Sequence, residues 1–257
     1  MIFIRGRLSA LKAVLPEKEI SIVLPAYNEA LRIQNCVREV ERAVSSFSGS
    51  YEIIVAEDGS TDGTDCILAN LSESNPHLSF LHSSVRLGKG KAIKNALRSA
   101  KGDVIVFMDV DLAASLESLP HLVQLVKEHR GLAIGSRHVE GSRVRRPFTR
   151  TLFSLTYNLF VRALFLDGIR DHQCGFKAMS REVAEVVRDN AKSDGLFLDT
   201  EMILRCKKLG FPVVEVGVEW SETRKRSESG VKLFHDATKM GLDLLRFRLN
   251  TNDLQHS

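Results

Sequence analysis

The sequence has no stretch approaching the ~18–20 consecutive apolar residues that a membrane-spanning helix requires, and its first twenty residues mix Arg5, Arg7 and Lys12 with scattered apolar positions. Neither a spanning helix nor a cleaved signal peptide is expected from this pattern. The four cysteines, Cys36, Cys66, Cys174 and Cys206, stand far apart, with no CxxC pair and no Cys/His spacing of the kind that makes a zinc site. They read as small buried hydrophobes in a reducing compartment. The chain also lacks an internal repeat, a low-complexity tract and the interleaving of aromatic with basic residues that marks nucleic-acid binding, so no nucleic-acid partner is expected. What remains is ordinary for a folded protein: 257 residues, 44% hydrophobic and 26% charged, enough for one large α/β core.

The net charge of +4 is small but unevenly placed. Arg143, Arg145, Arg146 and Arg150 lie close together, and Arg224, Lys225 and Arg226 form a second knot. Such clusters are either a solvated face or the footprint of an anionic partner.

From residue 20 to about 135, short β-branched runs alternate with longer amphipathic segments, the pattern of a parallel sheet with crossover helices. Strands are expected at 20–24, 52–56, 78–82, 104–108 and 132–135, with helices near 31–44, 62–71, 92–100 and 116–128. After Gly135 the regularity fails. A long helix is expected from Pro147 to Phe165, with the proline in its first turn; too polar to span a bilayer, it reads as core-facing or interfacial. A strand at 213–218 and a last helix from 231 to 247 complete the map.

Ligands of parallel α/β sheets bind beyond the carboxyl ends of the strands, and polar clusters stand at four of those ends. They are Pro25-Ala26-Tyr27-Asn28-Glu29, the run from Glu57 to Thr64, Asp109-Val110-Asp111, and Ser136-Arg137. In an extended backbone Asp109 and Asp111 would point to one side and address one hard cation, with magnesium or manganese bridging a diphosphate as the fitting chemistry. The alternative is two acids in a surface turn. Asp58, at a strand mouth, is expected to contact a ligand, whereas Asp62 reads as a helix cap. The run Arg86-Leu87-Gly88-Lys89-Gly90-Lys91-Ala92 lacks the Walker A spacing, but its two glycines would allow an anion to approach a helix N-terminus closely.

Taken together, Pro25 to Glu29, Glu57 to Thr64, Gly88 to Ala92, Asp109 to Asp111 and Gly135-Ser136-Arg137 resemble the ordered motif set of glycosyltransferase family 2. Gly168-Ile169-Arg170-Asp171-His172-Gln173-Cys174-Gly175-Phe176-Lys177, Glu219-Trp220-Ser221-Glu222 and Met240-Gly241-Leu242-Asp243-Leu244-Leu245 resemble its polyprenyl-phosphate branch. That branch comprises the dolichyl-phosphate β-glucosyltransferases and, more distantly, the mannosyltransferases. The resemblance implies a GT-A fold, an α/β, Rossmann-like, mostly parallel sheet flanked by helices, with amphipathic C-terminal helices. It covers about residues 19–248, leaving 1–18 as an extension that could be interfacial and 249–257 as a tail.

By that resemblance Pro25, Tyr27, Glu29 and Asp58 hold the nucleotide, and Asp109 and Asp111 hold Mg²⁺ or Mn²⁺ and the donor diphosphate. Lys91 and Asp171 also belong to the implied substrate site. Arg137, Arg150 and Ser154 match positions that bind the acceptor phosphate, Gln173 and Glu201 face the sugar, and Arg224 or Lys232 closes over the phosphates. Ala113 departs from the pattern, since relatives often carry a polar residue there, and a third side-chain metal ligand is therefore in doubt. The implied reaction is inverting transfer of a hexose, glucose favoured, from a UDP-sugar to a polyprenyl or dolichyl phosphate. The implied location is peripheral, on the cytoplasmic face of a membrane. Three alternatives stand beside it: transfer to a saccharide hydroxyl, with Asp171, Asp199 or Glu201 as general base; a GDP-mannose-using dolichyl-phosphate mannosyltransferase; and an inactive nucleotide-sugar-binding module.

Overall fold

The computed structural model describes residues 17–222 and 233–250. Its first half follows the sequence pattern closely. Strands β1 (Lys18–Ala26), β2 (Tyr51–Glu57), β3 (Leu78–His82) and β4 (Gly102–Met108) alternate with helices α1 (Ile33–Ser45), α2 (Thr64–Ser74) and α3 (Lys89–Ser99). A single 3-10 turn leads into α4 (Leu119–His129), which delivers the chain to β5 (Leu132–Ser136). These strands read as continuous apolar runs because both faces are covered, as parallel sheets require. Ile20, Ile22 and Leu24 of β1 face α1, α2 and α4, while Val23 packs with Ile105 and Phe107 of β4 towards α3.

The second half departs from expectation. After a short β6 (Arg143–Arg145) and α5 (Phe148–Phe165), strand β7 (Phe176–Ser180) enters the middle of the sheet, followed by α6 (Arg181–Asn190), α7 (Leu198–Lys208), β8 (Val213–Gly217), β9 (Glu219–Ser221) and α8 (Leu233–Asn250). The seven-stranded sheet runs β3-β2-β1-β4-β7-β5-β8, with β7 antiparallel to both neighbours and the other pairs parallel. β7 has no strand signature in sequence: it contains no β-branched residue, and a lysine sits at its second position. The fold tolerates Lys177, which is fully buried, because Asp199 of α7 and the carbonyl of Cys174 meet its ammonium.

Helix α5 also differs. Pro147 is its N-cap residue rather than part of its first turn. Only Ser154, Asn158 and Val161 of α5 are buried, whereas Phe148, Leu152, Leu155, Leu159 and Phe160 are exposed. α5 and α8 instead share a small satellite core with α7, built on Val161, Phe197, Leu204, Met240 and Leu244. No helix among the described residues is long and apolar enough to cross a membrane.

Candidate active site

The inserted antiparallel strand creates the site, because it lays the Gln173 to Phe176 segment against the end of β4. Asp109, Asp111, Leu112, Ala113 and Ala114 line a recess there with Gly175, Phe176 and Trp220. The two carboxylates stand on a turn rather than an extended strand: β4 stops at Met108, the amide of Leu112 donates to the Asp109 carbonyl, and Leu112 takes a left-handed φ of 48°. The turn brings the two acids together at the strand end, which leaves them able to address one ligand. Gly175 leaves room for the Asp109 carboxylate as it stands, since a Cβ there would overlap it and push it aside.

Two hard carboxylate oxygen donors suit a divalent cation of the magnesium or manganese type. Among the described residues there is no group of three or more His, Cys, Asp and Glu side chains able to hold a metal, and Ala113 is buried in the third place. Diphosphate oxygens and water would complete the shell.

Beneath Asp109 runs a chain of alternating charge. Lys89 Nζ lies 2.8 Å from Asp109 Oδ1 and 3.3 Å from Asp199 Oδ2, and Asp199 Oδ1 lies 2.6 Å from Lys177 Nζ. Burial works to lower the pKa of Lys89, but Asp109 and Asp199 more than offset it and hold the ammonium above its usual range. Asp199, although buried, is held below the usual carboxylate range by Lys177 and Lys89. The Gly88 to Ala92 motif thus contributes Lys89, which the sequence reading passed over. Lys91 instead donates its backbone amide to the Asp194 carbonyl. The close approach allowed by Gly90 serves the backbone of 193–195, not an anion, since a Cβ there would meet the Gly195 carbonyl oxygen at 2.7 Å.

On the other side of the crevice, the ends of β1 and β2 are stitched to each other. Ser60 Oγ accepts from the Asn28 amide, Thr64 Oγ1 from the Glu29 amide and Asp62 Oδ2 from the Ala30 amide. Asp62 also accepts the amide of Thr64, the first residue of α2, but the N-cap is Gly63, so Asp62 sits one residue before the cap position expected of it. Pro25 ends the β1 apolar run half-buried, Glu29 is buried, and the Arg86 guanidinium lies 3.9 Å above the Tyr27 ring. The two oxygens of Asp58 accept the amides of Leu87 and Gly88 at 2.7 and 2.9 Å and so fix the loop that carries Lys89. Burial raises the pKa of this carboxyl despite those bonds.

The second half of the site corrects several expectations. Glu201 faces away from the crevice, accepting the amides of Lys192 and Ser193 and the guanidinium of Arg205. Asp171 is fully buried in a bidentate pair with Arg137 (2.7 and 2.8 Å), and also accepts the amides of Arg137 and Gln173. Burial alone would raise its pKa, but Arg137 holds it well below the usual range. The charge of Arg137 is thus already met, and its guanidinium lies 4.8 Å from the centre of the Trp220 ring. Arg150 pairs with Glu222. Ser154 is buried beside His138 (3.3 Å) and Asn158 (3.4 Å). Gln173 is half-buried, with its amide nitrogen 3.4 Å from Met240 Sδ. Arg224 and Lys232 lie outside the described residues.

Residues 21–188 match the family described as Glycosyl transferase family 2. The chain belongs to that family and is a glycosyltransferase. Among curated relatives it is 40% identical to glycosyltransferase AglD of Haloferax volcanii over 89% of this chain, but spans only 36% of the length of that protein. It is 30% identical to dolichyl-phosphate beta-glucosyltransferase of Dictyostelium discoideum, covering 89% of this chain and 73% of the relative, and 30% identical to that of Homo sapiens, covering 91% and 76%. Among solved structures, glucosyl-3-phosphoglycerate synthase from Mycobacterium tuberculosis in complex with uridine-diphosphate superposes with a TM-score of 0.67 at 23% identity, over 90% of this chain and 80% of the other. A mannosyltransferase from Pyrobaculum calidifontis, in complex with GDP-mannose and Mn²⁺, gives 0.55 at 21%, over 82% and 59%. The sheet is therefore the GT-A architecture expected from the motifs.

Proposed function

We propose that this glycosyltransferase moves a hexose, glucose favoured, from a UDP-sugar to a polyprenyl or dolichyl phosphate with inversion at the anomeric carbon. The names of the relatives at 30% identity over most of the chain support the lipid-phosphate acceptor. The observation that carries the reading is the state of the three carboxylates available as general base. Asp199 is held between two lysines, Asp171 is locked to Arg137, and Glu201 is fully engaged away from the crevice. A general base works best with a pKa near the working pH, and burial beside cations drives Asp171 and Asp199 the opposite way. A sugar-hydroxyl acceptor needs such a base. A phosphate monoester, with a second pKa near ~6, arrives already anionic.

Catalysis is then positioning and charge stabilisation. Asp109 and Asp111 would hold a Mg²⁺ or Mn²⁺ ion, which neutralises the leaving diphosphate. The ion pair with Lys89 directs the Asp109 carboxylate into the recess, and Gly175 leaves room for it. The ends of β1 and β2 form the wall for the nucleotide, with Tyr27 held under Arg86.

A peripheral membrane contact follows from the same acceptor. Phe148, Leu152, Leu155 and Leu159 on α5 and Leu242, Leu245 and Leu249 on α8 are exposed, as are Arg143 and Arg145 just before α5, a composition that suits an anionic lipid surface. The test uses purified protein, UDP-glucose, Mn²⁺ and a short polyprenyl phosphate beside an oligosaccharide, with and without anionic liposomes. Product should form on the lipid phosphate, with a rate that follows the ionisation of that phosphate and rises with liposomes. Transfer to the oligosaccharide alone, with a rate following an enzyme carboxylate, would refute the proposal.

A further inference from the structure

Three guanidiniums converge between β5 and the start of α5, but only two have an anion among the described residues. Arg137 has Asp171 and Arg150 has Glu222. Arg146, directly before Pro147 and α5, donates through Nε to Thr151 Oγ1 at 3.1 Å, while its Nη2 is buried with no hydrogen-bond partner among the described residues. A buried cationic donor left unmet is costly, and native structures rarely keep one without a ligand or ion to satisfy it.

We propose that Arg146 is the residue that grips the acceptor phosphate. This rests on the lipid-phosphate reading above and redistributes its roles. Arg137, whose charge Asp171 already cancels, is a positioning residue that fixes Asp171 and the Gln173 segment. Arg146 supplies the uncompensated charge, and buried Ser154 and half-buried His138 on the same wall supply a hydroxyl and an imidazole to further phosphate oxygens.

The charged groups around the site agree. Burial first, and then the neighbouring guanidiniums of Arg137 and Arg150, bring the Arg146 pKa down to about 10, the mark of a cation set among cations; Asp171 acts the other way. Burial, Arg137 and Arg146 likewise lower that of His138, against Asp171 and Glu215. Glu215 is occupied by the amides of Arg170 and Asp171. Among the described residues, Oε2 of Glu222 is likewise buried without a hydrogen-bond partner. A sugar hydroxyl or the remaining proton of a monoprotonated phosphate satisfies it while the anionic oxygens meet Arg146. A planar guanidinium with free donors can hold phosphate in a two-pronged geometry that an ammonium cannot copy.

The test compares the wild-type protein with Arg146→Met and Arg146→Lys. Steady-state kinetics use UDP-glucose, Mn²⁺ and a short polyprenyl phosphate; calorimetry with UDP and Mn²⁺ measures donor affinity; and thermal protection uses inorganic phosphate as a non-reacting probe. A lost charge-assisted contact corresponds to roughly ten-fold or more in affinity. Arg146→Met should raise the acceptor KM by that factor, leave UDP affinity unchanged and abolish protection by phosphate, with Arg146→Lys in between. An unchanged acceptor KM together with retained phosphate protection overturns the proposal, as does an equal loss of donor and acceptor binding, which marks a merely structural arginine. If the wild-type protein ignores the lipid phosphate but phosphate protects it and not Arg146→Met, the anion site stands and the lipid reading falls.

Discussion

Asp109 and Arg137 each have an ionic partner that decides what the residue can still do. The partner of Asp109, Lys89, is shared with Asp199, and the carboxylate keeps about a third of its surface open (36%). Asp171, the partner of Arg137, is fully buried and bound in two-pronged fashion, leaving 8% of the arginine side chain exposed. A charge left partly open can take a ligand, whereas one closed on both sides is part of the scaffold. On the proposed reading, the donor wall would present acids to a cation, while on the acceptor wall Arg137 is already paired and Arg146 would carry the surplus charge.

The largest effect should come from breaking the closed pair. Arg137→Met leaves Asp171 buried without its counter-charge, which costs about 3–5 kcal/mol. Chemical denaturation should register that loss, and a stable variant with only a weakened acceptor KM would move Arg137 back into direct contact with substrate. Next in size are Asp109→Ala and Asp111→Ala, expected to lower turnover by about 10²–10³-fold and to remove the metal dependence of UDP binding in calorimetry. Undiminished turnover with added Mn²⁺ in either variant would eliminate the metal role.

Glu201→Ala should be milder. It strands the amides of Lys192 and Ser193 and frees Arg205, at about 1–3 kcal/mol of stability, with both substrate KM values unchanged. A selective rise in donor KM would return Glu201 to the sugar. The smallest signal is in pH. Asp171 and Asp167 are held below the ordinary carboxylate range, by Arg137 and by His172 respectively, against the opposing effect of burial. The unfolded chain then binds more protons than the folded one as pH drops below about 4. Their stabilisation, complete at neutral pH, should fade with acidification below that point, and the melting temperature of Asp171→Asn should show a flatter acid limb than that of the wild type.

The donor wall was legible because sequence and space coincide there: each motif follows its own strand, and the parallel order brings the strand ends together. The boundaries of β1 to β5 moved by only a few residues. The acceptor wall was not. β7 hides in Phe176-Lys177-Ala178-Met179-Ser180, which carries neither alternation nor β-branching, so its antiparallel place between β4 and β5 could not be foreseen. Without that placement, nothing in the sequence pairs Arg137 with Asp171, or shows that Glu201 turns from the crevice while Asp199, two residues earlier, turns towards it. Lys89 was within reach: in a helix the first lysine of Lys89-Gly90-Lys91 precedes the other by about 200°, and only one of the two can face β4.

The central claim is tested most directly by the anomeric configuration of the product. UDP-α-glucose, Mn²⁺ and a polyprenyl phosphate are incubated with the protein, and the lipid product is examined by proton NMR. A single in-line attack by the phosphate oxygen predicts a β-linked glucosyl phosphate lipid. An α-linked lipid, or free glucose with no lipid product, would contradict it.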